Sequence, residues 1–478
     1  DPMTVGARLD VPMGEFWQDR PFITTIKTVA SIAHVNGKPL VAGESFTSES
    51  RWTDYPYSFK SIGDYVFTHG LNRYVFHTSP TQSHPTAVPG MTMGPWGGFF
   101  VRTNTWFEQG RAWLEYVARA QYLLQQGRFV ADLLYFTGEN SPVDAMLRNL
   151  PDLAPPMGYH YDTIGSDAVV QRLKVANGRI VLPDGMTYRL FVLPGERTMT
   201  VELLRQIYAL VQQGMTLVVN GSAPEAAPGL AGFPAVDEEV RRLGRELWGD
   251  PTERGVIDRK VGAGRVFRNQ PITAILGQLS LRPDFEATSR FGPAEINAIH
   301  RRLPDADIYF VANREHRGDD MVCTFNIADR QPELWDAMTG RIAPAPVFEV
   351  VDGRTRLPLQ LGPSGSVFVV FRKPAAGPHL TAVLKDGVEV AGTKPFAAKA
   401  VPAGPLIYPF QPRALTQLIP LPPAMPPLAI ELATESHGGL LAWENGTYTL
   451  QAANGTATDV PVRRSEEHTS ELQSRYVI

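Results

Sequence analysis

The first 125 residues alternate short apolar runs with amphipathic stretches. Apolar runs lie at 9–13, 39–42 and 73–78, and the stretch at 24–34 between the first two has the length of a helix. Parallel strands cannot be joined by a tight turn, so each must be followed by a crossover of a dozen residues or more. The repeat of roughly 30 residues therefore predicts parallel strands joined by helices. Apolar residues at helical spacing then predict a helix packed on a sheet: Trp113, Val117, Ala120 and Leu124.

Residues 126–284 carry a second series of the same kind. Its apolar runs predict four buried strands, at 129–136, 159–164, 188–193 and 215–220. An amphipathic segment at 201–213 predicts a helix before the last of them. This order indicates an open, flavodoxin-like or Rossmann-like α/β domain. The glycine pair Gly262 and Gly264 lacks the third glycine of a dinucleotide-binding turn and leads into a strand, so we expect no nucleotide cofactor.

From residue 285 the apolar pattern changes to a period of two, broken by turn signals. This pattern predicts a β-sandwich at 285–376 and an incomplete β-rich module at 377–463. The proline-rich stretch 402–427 within that module is interpreted as a linker or an edge. The last segment, 464–478, contains RSEEHTSELQS, which looks like a translated sequencing-adapter oligonucleotide, and we expect this tail not to be native.

Charge and hydropathy exclude two kinds of partner. The chain has 45 Lys and Arg against 49 Asp and Glu, a net charge of −4, and no basic run that could neutralise a phosphate backbone. Nucleic acid is therefore not an expected partner. No apolar stretch approaches the roughly 20 residues that span a bilayer, so we expect no membrane span. A single cysteine, Cys323, lies in an apolar strand pattern and is interpreted as a buried small hydrophobe.

Two glutamates follow neighbouring predicted strands. Glu15 and Glu44 are 29 residues apart, which is about one strand–helix repeat. In a barrel of parallel strands the loops at the carboxyl ends of the strands form the active face. The spacing therefore predicts that both carboxylates face one pocket, where a pair of carboxyl groups could act as acid and base on a glycosidic bond. Structural ion pairs are the alternative interpretation of both residues.

Other polar and aromatic side chains occur in the same region. His77 comes directly after an apolar run and is predicted to contact a sugar hydroxyl, with a core histidine as the alternative. Asp10 is predicted to hold a hydroxyl or to orient a carboxylate. Trp52, Trp96 and Trp106 are predicted to shape a sugar pocket through their flat apolar faces, or else to pack in the core.

A series of sequence blocks resembles glycoside hydrolase family 106, the α-L-rhamnosidases. The blocks extend from the first residues to beyond residue 130: DVPMGEFW, VAGESFTS, THGLNRYVFHTSPTQ, PGMTMGPWGGFF, NTWFEQGRAWLEYVARAQYLLQQG and VADLLYFTGENSP. The resemblance continues through later blocks and covers essentially residues 1–463. The resemblance implies a (β/α)₈ barrel followed by an α/β domain and β-sandwich modules, so residues 1–125 are expected to be its C-terminal part.

The family resemblance also implies roles. Glu44 resembles the general base of an inverting mechanism, and Glu15 resembles a further active-site carboxylate that touches the substrate or a metal. The resemblance implies a calcium ion near the sugar hydroxyls, with its ligands left open. The general acid is expected on a strand upstream of Asp1. The chain is therefore expected to be a fragment that by itself is poorly stable and catalytically weak.

The function expected from the resemblance is inverting hydrolysis of terminal α-L-rhamnosyl residues on plant or microbial glycans by a bacterial, exported enzyme. Its expected partner is a rhamnose-containing oligosaccharide or glycoside. Two alternatives stay open: another exo-glycosidase, such as one with a β-galactosidase-like barrel and a retaining mechanism, and a carbohydrate-binding protein without catalytic activity.

Overall fold

A computed structural model describes most of the chain. The described residues are 2–49, 51–139, 151–250, 255–292, 295–375, 377, 379–397, 430–432, 440–442, 444–463 and 476–477. The proline-rich stretch 402–427 and most of the tail at 464–478 lie outside them. Within these ranges no helix combines the length and the apolar character needed to cross a membrane.

The amino-terminal region is a three-stranded parallel sheet with helices between its strands. Its strands are β1 (Met13–Trp17), β2 (Ala42–Thr47) and β3 (Arg73–Phe76), in that spatial order. Its helices are α1 (Pro2–Gly6), α2 (Ile23–Val35), α3 (Pro56–Thr68) and α4 (Arg111–Leu124), and a 3-10 turn spans Arg51–Thr53. The predicted β/α alternation is confirmed, but the first two strands begin later than predicted. Glu15 and Glu44 therefore lie within β1 and β2 and not after them. The described strands do not close a barrel, so the expected (β/α)₈ architecture is seen only as these parallel strands and their helices.

One face of this sheet is covered by helices. Gly14 lies so close to α2 that a Cβ there would come within 3.1 Å of Thr25 and 3.2 Å of Val29. Phe16 and Phe46 are fully buried on the same face, with ring centroids 5.0 Å apart. Farther along, the predicted stripe on α4 is buried as expected. The opposite face of the sheet carries polar and partly exposed side chains, and the candidate site lies there.

The second region contains a six-stranded sheet whose strands are parallel except at one edge. Its strands, in spatial order, are Ile257–Val261, Gly264–Arg268, Thr216–Val219, Leu190–Leu193, Leu133–Phe136 and Tyr161–Ile164. The helices of this region are Pro151–Leu153 (3-10), Ser166–Arg172, Val201–Gln212, Ala235–Trp248 and Ile272–Gln278. A small antiparallel sheet joins Lys174–Ala176, Arg179–Val181 and Thr187–Tyr188.

Two predicted strands of this region are each divided between two sheets. Arg128–Phe129 pairs with 301–302 of an antiparallel sheet, whereas Leu133–Phe136 enters the parallel sheet. The change occurs because the amide of Val130 donates to the carbonyl of His300, while the carbonyl of Asp132 accepts from residues 189 and 190. The prediction of one continuous strand at 129–136 is therefore wrong, because the chain forms two strands there. The strand predicted at 188–193 is likewise divided into Thr187–Tyr188 and Leu190–Leu193.

Two antiparallel sheets follow. One consists of Phe285–Ser289, Asp319–Phe325, Arg354–Leu361 and Glu349–Val351. The other consists of Ile342–Pro344, Arg330–Trp335, Ser366–Pro374, Asp307–Asn313, Ile296–Arg302 and Arg128–Phe129. Their apolar faces share one core, which contains Cys323, Tyr309 and Phe371. Cys323 is fully buried, as predicted, and burial raises the pKa of its thiol.

Short strands complete the described chain. A four-stranded sheet contains Val388–Gly392, Leu380–Lys385, Gly446–Ala452 and Ala457–Val462. A three-stranded sheet contains Ile430–Leu432, Leu440–Ala442 and Tyr476–Val477.

A fully buried histidine, His300, links the two antiparallel sheets. Its Nδ1 lies 3.0 Å from Oδ2 of Asp284, and its Nε2 lies 2.8 Å from Oδ1 of Asp307. A neutral imidazole has one N–H, so donation to both carboxylates requires the charged imidazolium. Burial alone would lower the pKa of His300, but the charges and hydrogen bonds of Asp284 and Asp307 raise it above its ordinary value. The pKa values of both aspartates are correspondingly held low against the effect of burial.

We expect the stability contributed by His300 to depend on pH. Because the pKa of His300 is higher in the folded chain, its charged imidazolium stabilises the fold. This stabilisation is complete below the unfolded-state pKa of about 6.5 and is lost as the pH rises through the folded-state pKa. The melting temperatures of the parent chain and of His300→Gln should therefore differ most near pH 5, where Asp284 and Asp307 remain ionised, and converge at alkaline pH. Arg302 and Tyr309, which donate to these aspartates, are present in both proteins, so the comparison isolates the effect of the imidazole. A difference that is constant between pH 5 and 10 would contradict the charged state.

Candidate active site

The register of the parallel sheet places the two candidate glutamates side by side. Glu15 of β1 pairs with Glu44 of β2, and Glu44 in turn pairs with Val75 of β3. Paired residues of a parallel sheet present their side chains on the same face. This face is the one that α2 does not cover, and the Glu44 side chain is one-third exposed. The interval of 29 residues in the sequence thus becomes direct adjacency in the sheet.

Each carboxylate is oriented by a hydrogen bond from its own strand. The indole Nε1 of Trp17 donates to Oε1 of Glu15. The hydroxyl of Thr47 donates to Oε1 of Glu44 at 2.9 Å. A carboxylate held in this way keeps one oxygen fixed and leaves the other oxygen available to a ligand.

A bulge in β2 explains how Thr47 reaches Glu44. Phe16 pairs with Ser45, but the next residue, Trp17, pairs with Thr47, so Phe46 is an extra residue in β2. Phe46 has a left-handed backbone, with φ at +65°. Bulges of this kind re-aim the side chains that follow them. Neither orienting residue was predicted from the sequence: Trp17 follows Glu15 at the strand period of two, a signal that could have indicated it, whereas the position of Thr47 depends on the bulge.

His77 lies beside Glu44, directly after β3. Its Nε2 is 4.0 Å from Oε1 of Glu44, and its side chain is 17% exposed. Its backbone is fixed, because its amide donates to Ser45 and its carbonyl accepts from Gly98. Nδ1 is buried and has no hydrogen-bond partner among the described residues. Because Nδ1 is buried, Nε2, which lies beside the Glu44 carboxylate, is the nitrogen placed to bind a polar ligand.

The tryptophans have different surroundings. Trp106 packs against the apolar core and donates from Nε1 to the carbonyl of Asp54 at 2.8 Å, so its main contacts are structural. Trp52 is partly buried against Phe99, with ring centroids 4.6 Å apart. Trp96 is 46% exposed. Trp52 and Trp96 thus keep part of their surface open to a ligand.

The structure does not bring Asp10 to this group. Asp10 is exposed and precedes the first residue of β1, at the amino end of the sheet. Glu44 lies in the middle of β2, and His77 follows the carboxyl end of β3. The predicted contact of Asp10 with the same ligand therefore has no support from its position.

The calcium ion implied by the resemblance has no complete set of ligands among the described residues. No group of three or more His, Cys, Asp or Glu side chains is arranged there to hold a metal ion. Calcium takes six to eight oxygen ligands, and Glu15 and Glu44 could supply only part of such a shell. The described residues therefore do not form a calcium site by themselves.

Two adjacent carboxylates on an open face of parallel strands, with a histidine and aromatic rings at the strand ends, suit acid–base cleavage of a glycosidic bond. Such an arrangement occurs in glycoside hydrolase families. The chain belongs to glycoside hydrolase family 106, described as α-L-rhamnosidase, whose family model matches residues 1–349.

Two similar proteins are named for different sugars. The solved structure of a rhamnosidase from Novosphingobium sp. PP1Y is 33% identical, with a TM-score of 0.72 over 80% of this chain and 37% of that one. A curated protein from Formosa agariphila, named "Putative beta-glucuronidase", is 40% identical over 374 residues, which are 78% of this chain and 30% of that protein. A β-galactosidase from Bacillus circulans sp. alkalophilus is 12% identical with a TM-score of 0.47, too weak a likeness to add to the assignment. The chain thus spans about a third of the length of the Novosphingobium and Formosa proteins.

Proposed function

We propose that this chain supplies the carboxylate-bearing part of an inverting α-L-rhamnosidase that removes terminal α-L-rhamnosyl residues from glycans or glycosides. The observation that carries the proposal is the position of Glu44. Its carboxylate accepts a hydrogen bond from Thr47, its Oε1 lies 4.0 Å from Nε2 of His77, and Glu44 pairs with Glu15 on the neighbouring strand. The family and the rhamnosidase neighbour support rhamnose as the sugar. Since glycans of this kind are met outside the cell, we also propose that the enzyme is exported.

In the proposed mechanism Glu44 acts as the general base. It takes a proton from a water molecule as the water oxygen bonds to the anomeric carbon, while the bond from that carbon to the glycosidic oxygen breaks on the opposite face. A carboxylic acid on another strand of the whole enzyme protonates the departing oxygen. Glu15 and His77 bind hydroxyl groups of the sugar. Inversion follows because the water attacks from the face opposite to the leaving group.

A second candidate is a glycosidase that acts on a uronic acid. The name of the Formosa agariphila relative, at 40% identity, favours it. A non-catalytic carbohydrate-binding protein is the remaining alternative. These three possibilities differ in substrate and in turnover, so one set of assays separates them.

The test is the stereochemistry of the first product. The longest open reading frame that contains this chain is expressed and given p-nitrophenyl α-L-rhamnoside, and proton NMR follows the sugar released. We expect β-L-rhamnose to appear first and then to mutarotate. Early release of the α anomer would contradict inversion, and turnover of p-nitrophenyl β-D-glucuronide alone would favour the second candidate. Binding of rhamnosides without turnover of any substrate would indicate a binding protein.

A further inference from the structure

Four arginines lie where strands of three sheets meet, and the proposed hydrolytic mechanism makes no use of them. Two belong to neighbouring strands of the six-stranded antiparallel sheet, and one begins a strand of the small antiparallel sheet. The fourth directly precedes a strand of the six-stranded parallel sheet. We call these residues the arginine patch: Arg128, Arg302, Arg179 and Arg189.

Backbone pairing and charge interactions bring the four side chains together. Arg128 and Arg302 pair directly across two antiparallel strands, so their side chains lie on one face of the sheet. The guanidinium of Arg128 packs over Gly185, where a Cβ would come within 2.7 Å of its Cζ. Burial and the positive charges of Arg189 and Arg302 lower the pKa of Arg179. Like charges held opposite one another destabilise a sheet, and a bound anion relieves this repulsion.

Most of the patch has no partner of opposite charge. Arg302 donates to Oδ1 of Asp307 at 2.7 Å. Among the described residues, the other three side chains make no ion pair or hydrogen bond, and Arg128 and Arg179 are exposed. The whole chain has a net charge of −4, so the patch is a local concentration of positive charge on an acidic protein.

One carboxylate, that of Asp132, faces the patch. The amide of Arg189 donates to the carbonyl of Asp132 at 2.7 Å, and the side chain of Asp132 is half-buried. Burial and the charge of Asp284 raise the pKa of Asp132 to about 6, although Arg189, Arg179 and Arg302 act in the opposite direction. A single carboxylate cannot neutralise three guanidinium groups, so the patch keeps an excess of positive charge.

The arginine patch and the candidate active site lie at opposite ends of the three-stranded sheet. After α4 ends, the side-chain amide of Gln125 donates to the carbonyl of Asn72 at 2.9 Å. Asn72 directly precedes β3, and Arg128 follows Gln125 by three residues, so the patch lies beyond the amino end of β3. His77 follows the carboxyl end of the same strand. A ligand held by the patch therefore does not occupy the catalytic site.

We propose that the arginine patch is a second binding site, which holds the anionic groups of an acidic polysaccharide. Planar guanidinium groups bind carboxylate and sulfate oxygens in pairs, with a geometry that other cations do not match. The inference rests on the proposed glycosidase function, which makes a glycan the expected partner of this surface. A polymer held here stays close to the active site, so its chain ends reach the catalytic carboxylates at a raised local concentration. The anionic group can be a uronic acid carboxylate or a sulfate ester, and the experiment distinguishes them.

The test measures polymer binding by the protein encoded by the longest open reading frame that contains this chain. Affinity electrophoresis gives the Kd for polygalacturonate, which carries carboxylates, for dextran sulfate, and for neutral dextran. We expect binding to at least one charged polymer and not to dextran, and this binding should weaken as the ionic strength rises. Arg128→Ala combined with Arg179→Ala should weaken it about tenfold, because two charge-assisted donors are lost. The corresponding double lysine variant keeps both charges but not the paired contacts, so its affinity should lie between the two.

The matched control is Arg205→Ala combined with Arg242→Ala. It also removes two positive charges, from exposed arginines that both contact Glu239. This variant should bind as the parent does. Weakened binding to polygalacturonate alone assigns a carboxylate, and weakened binding to dextran sulfate alone assigns a sulfate ester.

Two results would overturn the proposal: a parent protein that binds neither charged polymer, or equal Kd values in the patch and control variants. Hydrolysis of p-nitrophenyl α-L-rhamnoside is measured on the same proteins and should be equal in the parent and in the patch variants, because the patch lies away from the catalytic carboxylates. Loss of this hydrolysis in the parent counts against the proposed function alone. Polymer binding that does not depend on Arg128 and Arg179 counts against the patch alone.

Discussion

Replacement of Glu44 by glutamine is expected to lower kcat on an α-L-rhamnoside about a thousandfold. A positioned general base typically contributes between about a hundred and ten thousand in rate, and the amide cannot take the proton from water. The shape of the side chain and its hydrogen bond from Thr47 can be retained, so KM should change little. The measurement is steady-state kinetics on the protein that contains this chain, with rhamnoside binding followed by calorimetry.

The matched control is Glu49→Gln. Glu49 lies five residues farther along the chain and is exposed, and its carboxylate contacts Arg20 at 3.3 Å. The chemical change is identical, but Glu49 takes no part in the proposed mechanism, so its kcat should stay within twofold of the parent. A Glu44→Gln variant that keeps more than a tenth of the parent kcat would remove Glu44 from the role of base.

The second large effect is expected at Asp162, where α2 packs against the six-stranded sheet. Its carboxylate is fully buried and accepts from Ser31 at 3.1 Å and from Tyr188 at 2.9 Å. His34 Nδ1 lies 2.9 Å from it, and the ammonium group of Lys27 lies 3.5 Å from it. Burial would raise the pKa of Asp162, but interactions with His34 and Lys27 and hydrogen bonds lower it, so the carboxylate is ionised.

Asp162→Asn is expected to destabilise the chain by about 3 kcal/mol, because it leaves the buried Lys27 without a charged partner. For domains of this size that corresponds to a melting temperature lowered by roughly 6–12 °C. Differential scanning calorimetry of the chain measures the effect. The control is Asp258→Asn, which breaks the more exposed ion pair with Arg265 and should cost less than about 1 kcal/mol.

Removing both charges tests the physical reason for this loss. Lys27→Met combined with Asp162→Asn should recover a substantial part of the stability, since the uncompensated charge is the main cost. A single Asp162→Asn variant that melts with the parent would show that the buried pair contributes nothing to the docking of α2.

Features that depend on local periodicity and spacing could be predicted from the amino-acid sequence. The period of apolar residues identified α4, whose predicted stripe is buried, and the parallel strands of the first region. The interval between Glu15 and Glu44 is one β/α repeat, and in a parallel sheet one repeat moves the chain to the neighbouring strand. The adjacency of these two carboxylates could therefore be predicted from the amino-acid sequence, because the period of the apolar residues and the length of the β/α repeat are both local properties of the chain.

Contacts between distant segments could not be predicted in this way, because they form only in the folded chain. The extra residue at Phe46 brings Thr47 to Glu44, and no apolar pattern marks a bulge. The backbone at 130–132 finds hydrogen-bond partners in two sheets, so a continuous apolar run becomes two strands. The carboxylates that the fold buries around His300 favour its charged form, and the backbone amides of Gly97 and Gly98 are hydrogen-bonded to the segments directly after β2 and β3. These features depend on contacts between residues far apart in the chain, and neither the propensity nor the periodicity of a single segment specifies such contacts.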